Sequence, residues 1–323
     1  MSPGLRAGGD ASWGKLLKGA QVVRTTDVPP LITKAQFEVL ARKQEHYMEL
    51  GRKGGNAAKG KAKAKGAPAA SEDEDLIEVD EPLPTHADGA IDEVSMHIGH
   101  RIADRVMDES TLQLGIGAVP DAVLAALTHR KGLRIWTEMF SDGVLELSRK
   151  GALDADIPIT ASFVFGSSEL YEWLNLNRQV RMLRTEKTND PGQIARQARM
   201  TSINSALQID LFDQANASYV RGQVYSGFGG STDFIVGALH ARGGASFMAL
   251  QSWHPKANSS TIVPRLSEPA TSFQHSYVVT EQGVADCFGH SALDQARNLI
   301  EKAAHPSARE QLRAEAAAMG LLE

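Results

Sequence analysis

The sequence predicts an α/β protein: an open, mostly parallel or mixed sheet flanked by helices, behind a disordered amino-terminal linker. Three observations carry that expectation. From residue 111 onward, short apolar or β-branched runs alternate with amphipathic stretches, the pattern of a sheet whose crossovers are helices. Two of those runs end abruptly, L-Q-L in Gly115-Ile116-Gly117 and L-R-I-W in Thr137-Glu138. Glycines and a carboxylate thus fall at the carboxyl ends of successive strands, the edge where open α/β sheets bind ligands. Residues 51–75 interleave Lys and Arg with Gly and Ala, then run through Glu72-Asp73-Glu74-Asp75. So little there is apolar that burial cannot offset the entropy of ordering.

In chain order, residues 1–50 form a short amino-terminal segment in which only 32–50 has helical spacing (Phe37, Leu40, Ala41, Tyr47, Met48), 51–75 a linker, and 76–323 the folded part. Residues 76–80, L-I-E-V-D, read as a strand. Ile91, Val94, Ile98, Ile102 and Val106 recur at three- and four-residue steps, an amphipathic helix with Asp92 and Glu93 at its positive end. A strand at 112–115 leads to a helix at 120–129 with Pro120 in the favoured first position. A strand at 133–137 leads to a helix at 143–150 closed by Gly151. Residues 159–165, I-T-A-S-F-V-F, read as one buried strand opening into Gly166-Ser167-Ser168 and a helix at 169–176. A strand follows at 180–183. Asn189-Asp190-Pro191 starts a helix through Ile194 and Ala198, and a helix at 234–240 follows a glycine loop. Further strands are expected at 205–210, 245–250 and 277–280.

The 323 residues suffice for one large or two ordinary domains. Hydrophobic residues make up 42%, charged residues 23%, and the formal net charge is −5. With no basic excess to neutralise phosphates, no nucleic-acid partner is expected. No apolar run approaches the ~20 residues that span a bilayer, and the start lacks a secretory apolar core. The single cysteine, Cys287 in V-A-D-C-F, allows no internal disulfide and reads as a packed core thiol. An intracellular, soluble protein is expected, cytoplasmic or, in a eukaryote, mitochondrial. His97 and His100 flank the stripe of the first helix with no Cys/His cluster after them, so no metal site is expected.

Three constellations can carry chemistry. The turn Gly115-Ile116-Gly117-Ala118-Val119-Pro120 exposes backbone N–H groups at a helix start, where an anion or developing oxyanion can sit. It lacks the third glycine of a dinucleotide fingerprint. The loop Ser226-Gly227-Phe228-Gly229-Gly230-Ser231 is a second tight backbone turn, which also suits an ordinary connection. The third set is polar groups at strand ends: Glu138, Asn204, Asp210 and Glu281. Glu138, among Trp136, Met139 and Phe140, is the best placed for partial desolvation, and a held carboxylate can act as a covalent nucleophile. No G-x-S-x-G elbow, Walker loop or H-E-x-x-H is present.

The ordered segments L-Q-L-G-I-G-A-V-P-D-A-V-L, T-E-M-F-S-D-G-V, N-D-P, I-N-S-A-L-Q-I-D-L, S-G-F-G-G-S-T-D-F, T-I-V-P-R-L and Y-V-V-T-E-Q-G-V-A-D resemble the acetyl-CoA hydrolase/CoA-transferase family. That family includes the 4-hydroxybutyrate, butyrate and succinate:acetate CoA-transferases. The resemblance runs from about residue 76 to the end. It implies a CoA-transferase-like fold, with a site between two α/β domains in family members, and a glutamate nucleophile, here Glu138. Such a glutamate attacks an acyl-CoA thioester and passes through an acyl-glutamyl anhydride to a glutamyl-CoA thioester. By the same resemblance Gly115, Ile116, Gly117, Ala118 and Val119 form the CoA turn. Gly229 and Gly230 match a second CoA-contacting loop, and Lys256 a cation near a CoA phosphate. Asn204 and Glu281 match polar residues near the reacting centre. Coenzyme A is then substrate rather than a bound cofactor, the partners are an acyl-CoA and a short-chain carboxylate such as acetate, and a homo-oligomer is expected.

The departures are specific. Residues 1–75 hold no α/β repeat where family chains carry an amino-terminal domain, so the segment looks like its remnant or replacement. Gln208 stands where the family has Glu, F-D-Q-A-N-A lacks the usual glycine, and Ser252-Trp253-His254-Pro255 replaces a small-residue stretch. Net acetyl-CoA hydrolysis, or a non-catalytic CoA-binding chain that needs a separate amino-terminal half, are the alternatives to transfer.

Overall fold

Residues 83–85 and 91–322, apart from 116, 228, 269 and 271–273, are described by the structure, a computed structural model. All belong to one unit, His46–Glu323. The expectations for 1–50, 51–75 and the strand at 76–80, and Ile116, lie outside the described residues.

The principal strands are β1 (Thr111–Leu114), β2 (Arg134–Ile135), β3 (Met139–Phe140), β4 (Ile159–Ala161), β5 (Phe163–Val164), β6 (Val180–Met182), β7 (Met200–Ser205), β8 (Ala245–Ala249), β9 (Tyr277–Val279) and β10 (Val284–Asp286). Six of them form one sheet in the order β10-β9-β8-β7-β1-β2. Every pair is parallel except β9 with β10. Past β2, a bridge between Trp136 and Thr160 and the bond from Thr137 N–H to the Thr160 carbonyl (3.0 Å) carry the array on to the parallel pair β4–β6. The architecture is therefore the mixed, mostly parallel α/β sheet that the alternation predicts.

Helices cover both faces because the strands alternate in what they present. On one side α1 (Glu93–Ala103) and α2 (Ala118–Ala126) bury Ile98, Ile102, Val123 and Leu124 with Leu112, Leu114, Ile203, Phe247 and Ala249. Asp92 caps α1 by accepting from Ser95 N–H at 2.8 Å. Gly99 lets α1 lie against the α2 backbone, since a Cβ there would stand 2.7 Å from the Ala122 carbonyl carbon. On the other side α5 (Ser231–His240) buries Phe234 and Ala238 with Met200, and Ile235 with Met248 and Val278. Helix α6 (Ala292–Asn298), a π turn (Leu299–Ala303), a 3-10 turn (Pro306–Ala308) and α7 (Arg309–Ala318) complete that layer. Helices α3 (Asp142–Arg149) and α4 (Ser168–Leu174) follow β3 and β5.

The structure departs from the sequence expectations at several places. The central strand, β7, lies before the strand expected at 205–210, which is reduced to Gln208–Asp210 in a small separate sheet. The run 159–165 is broken at Ser162, whose N–H and that of Phe163 both donate to the Glu138 carbonyl, at 2.8 and 3.1 Å. Helix α2 begins at Ala118, so Pro120 is its third residue. The helix started by Asn189-Asp190-Pro191 runs only over Pro191–Ile194. Strand β10 had no sequence expectation; it is joined to β9 by the two-residue turn Glu281-Gln282.

Candidate active site

Parallel pairing of β1 with β2 sets the site. Thr111 faces Arg134 and Leu112 faces Ile135, so the glycine turn after β1 and the carboxylate after β2 emerge side by side. Buried Thr137 ties them directly: its hydroxyl lies 3.2 Å from the Leu114 carbonyl and 2.8 Å from the Met139 carbonyl. Gly115 and Glu138 are each one residue from that contact. Gly117 has φ +117°, which an L side chain rarely adopts, and the space over Gly115 and Gly117 is open. The amino end of α2 thus opens toward solvent through Gly117 and Ala118, both exposed, and half-buried Val119.

A second helix start meets Glu138. Gly230, the N-cap of α5, donates its N–H to Glu138 Oε2 at 3.1 Å. The contact spans 92 residues of sequence. In a capping box the N3 carboxylate takes that N–H; here the N3 residue is Asp233, and Glu138 has the N–H instead. Burial pushes the Asp233 carboxyl up, whereas the positive end of the α5 dipole faces Glu138. A Cβ on Gly230 would stand closer than 3.0 Å to both Glu138 Oε2 and Asn189 Nδ2. Glycine there admits the close approach of both side chains, and Asn189 shares a methyl-sized space with the carboxylate.

The rest of the surround fixes these groups. Trp136 Nε1 donates to the Thr188 carbonyl at 2.9 Å. The Thr188 hydroxyl meets Ser162 Oγ at 2.6 Å and Asn189 Oδ1 at 2.9 Å. Asn189 had no part in the sequence expectation beyond starting a helix. Its one sequence signal is the N-D-P triplet, whose Asp190 is the cap, accepting from Gln193 N–H at 3.1 Å.

Asn204, buried and last but one in β7, lies beside the turn after β1, since Leu114 pairs with Ile203. Its amide is engaged by Gln113 (3.2 Å, both ways) and Ser202 (2.9 Å). Glu281 follows β9, four strand steps from β2, or roughly 19 Å at ~4.8 Å per step. Burial disfavours its charged form, but hydrogen bonds from the Ser252 side chain and backbone and from Gln282 outweigh it and hold the carboxyl below its usual range. Arg101 Nη2 donates to the Glu281 carbonyl at 3.0 Å. Gly229 is exposed with open space above it, and Lys256 is exposed in the turn between the short strands Trp253–His254 and Ser259–Ser260. Asp210 serves its own loop, accepting from Phe212, Gln214 and Leu266 N–H groups. Glu138, Gly230, Asn189 and the turn after β1 are therefore the groups brought together.

The chain is similar to known proteins. Residues 166–316 match the model of the acetyl-CoA hydrolase/transferase C-terminal domain. The chain is 37% identical over 247 residues to a 4-hydroxybutyrate coenzyme A transferase of Clostridium kluyveri, covering 73% of this chain and 57% of that protein. It is 38% identical over 252 residues to a succinyl-CoA:cyclohexane-1-carboxylate CoA transferase of Geobacter metallireducens, covering 75% and 57%. The crystal structure of RipA from Yersinia pestis superposes with a TM-score of 0.71 at 34% identity, over 75% of this chain and 56% of that one. The chain thus spans little more than half the length of these relatives. Residues 166–316 thus carry the acetyl-CoA hydrolase/transferase C-terminal domain, and the described part of the chain is similar to CoA-transferases.

Proposed function

We propose that the protein moves CoA between a short-chain acyl-CoA and a carboxylate such as acetate, with Glu138 as the covalent carrier. The observation that carries this reading is the Glu138 carboxylate held by the Gly230 N–H at the start of α5, beside the open amino end of α2. In this reading a Glu138 oxygen attacks the thioester carbonyl, the C–S bond breaks and CoA leaves as thiolate. The thiolate then attacks the glutamyl carbonyl of the anhydride. The acyl group departs as carboxylate, and a glutamyl-CoA thioester remains. An incoming carboxylate reverses both steps and restores Glu138. Each addition builds an oxyanion, and backbone N–H groups at helix starts suit it. Residues Gly115 to Val119, with Gly229 and Gly230, would take the CoA arm, and Lys256 a CoA phosphate. Binding energy from the remote nucleotide would then position the thioester. Asn189 would orient Glu138.

The test is the exchange of isotopically labelled acetate into acetyl-CoA by the purified 323-residue chain. Transfer requires label in the thioester and a rate that rises with acetate. CoA release that ignores acetate means hydrolysis instead. One further reading is a CoA-binding chain that works only with a separate amino-terminal half. Under it the chain binds CoA, shows no turnover alone, and gains turnover when that half is added.

A further inference from the structure

The segment Ser141-Asp142-Gly143, three residues past Glu138, has no role in the chemistry above, yet its residues reach two opposite anchors. Ser141 Oγ lies 3.2 Å from Asp121 Oδ1, in the first turn of α2. Gly143 packs against the same helix, where an added Cβ would stand 2.5 Å from Leu124 Cδ1. Asp142 points the other way, to the turn before α4. Its Oδ2 accepts from Ser167 N–H at 2.9 Å, and its Oδ1 accepts from Ser167 Oγ. That turn is shaped around the carboxylate: a Cβ on Gly166 would stand closer than 3.0 Å to Asp142 Oδ2. Ser167 in turn caps α4, its Oγ accepting from Leu170 N–H at 3.2 Å. Between this clamp and Glu138 the chain is held by the pairing of β3 with β5 and by the two N–H bonds on the Glu138 carbonyl.

We infer that Asp142 is a positioning residue for Glu138: its grip on Ser167 fixes the loop that carries the nucleophile between α2 and α4. This rests on the transferase reading for its kinetic consequence, but not for the hold itself. Short loops keep a reactive group within the fraction of an ångström that catalysis needs only when both ends are pinned. Asp142 pins the far end.

The test compares Asp142→Ala, Asp142→Asn and Gly166→Ala in the full chain. Asn keeps an acceptor for Ser167 N–H and can donate to Ser167 Oγ. Gly166→Ala leaves the carboxylate present but pushes it off the turn, and it serves if Asp142→Ala does not fold. The expected result is a kcat lowered by on the order of tenfold or more in Asp142→Ala and Gly166→Ala, with KM for acyl-CoA little changed, and recovery in Asp142→Asn. Amide hydrogen exchange at Ser162 and Phe163, the donors to the Glu138 carbonyl, should quicken in the first two variants and not in the third. The inference is overturned if Asp142→Ala folds with wild-type kcat and wild-type exchange at those amides, or if kcat and KM worsen together with no recovery in Asp142→Asn. Should the wild-type chain show no chemistry at Glu138, the proposed function fails, and hydrogen exchange alone decides the clamp.

Discussion

Gly230→Ala separates the fold from the site. The backbone of Gly230, at φ −79° and ψ 0°, suits alanine, so the substitution introduces no conformational strain. Its methyl group would fall closer than 3.0 Å to Glu138 Oε2 and Asn189 Nδ2, where ordinary contact begins at 3.4 Å. Both obstacles are the ends of side chains, which yield at small cost. The carboxylate must therefore retreat by roughly 1 Å and lose its bond to the Gly230 N–H. A hydrogen bond to a charged group is worth about 1.5–3 kcal/mol, and a displacement of about 1 Å costs on the order of a hundredfold in rate. We expect Tm within about 4 °C of wild type and kcat down about a hundredfold, read by thermal circular dichroism and steady-state acyl-CoA turnover. A folded Gly230→Ala enzyme with unchanged kcat would refute the claim that Glu138 works from this position.

Trp136→Phe removes the Nε1 bond to Thr188 and should cost about 1 kcal/mol in urea unfolding, with a further loss of turnover because Thr188 orders Asn189. Glu281 has a carboxyl held below its ordinary value of 4.5, so its stabilising effect is complete above that pH and fades as pH falls through the depressed value; urea midpoints below pH 4.5 should drop less steeply in Glu281→Gln. Cys287 is fully buried, and burial, with Asp213 nearby, pushes its thiol up; a thiol reagent should find it only after unfolding. Gly99→Ala forces α1 off the α2 backbone and should destabilise by about 1–3 kcal/mol without altering KM.

The sheet edge that matters was legible because its cues are local. A strand of apolar residues cut off by Glu138, and another cut off by Gly115, state their own ends. Strand β7 was not legible, since T-S-I-N-S presents three polar residues at core positions. Gln113 on β1 is what makes them tolerable: it bonds Ser202 and Asn204 inside the sheet, and buried polar groups are accepted only when so paired. Strand β10 was hidden for another reason. Its turn, Glu281-Gln282, carries none of the Asn-Gly or Asp-Gly chemistry that announces a hairpin. The contacts around Glu138, with Gly230 and beside Asn189, join segments remote in sequence. Spacing cannot reveal them; the ordered motifs pointed to Glu138, and the fold supplied its neighbours.

The central claim is that Glu138 carries the CoA. The direct measurement is peptide mass spectrometry of the protein after acetyl-CoA and borohydride, which reduces a glutamyl thioester to the alcohol, with hydroxylamine as the parallel trap. The account predicts modification of the peptide containing Glu138, suppressed by acetate and lost in Glu138→Gln. An unmodified Glu138 in a chain that still exchanges CoA, or a trapped carboxylate elsewhere, contradicts it.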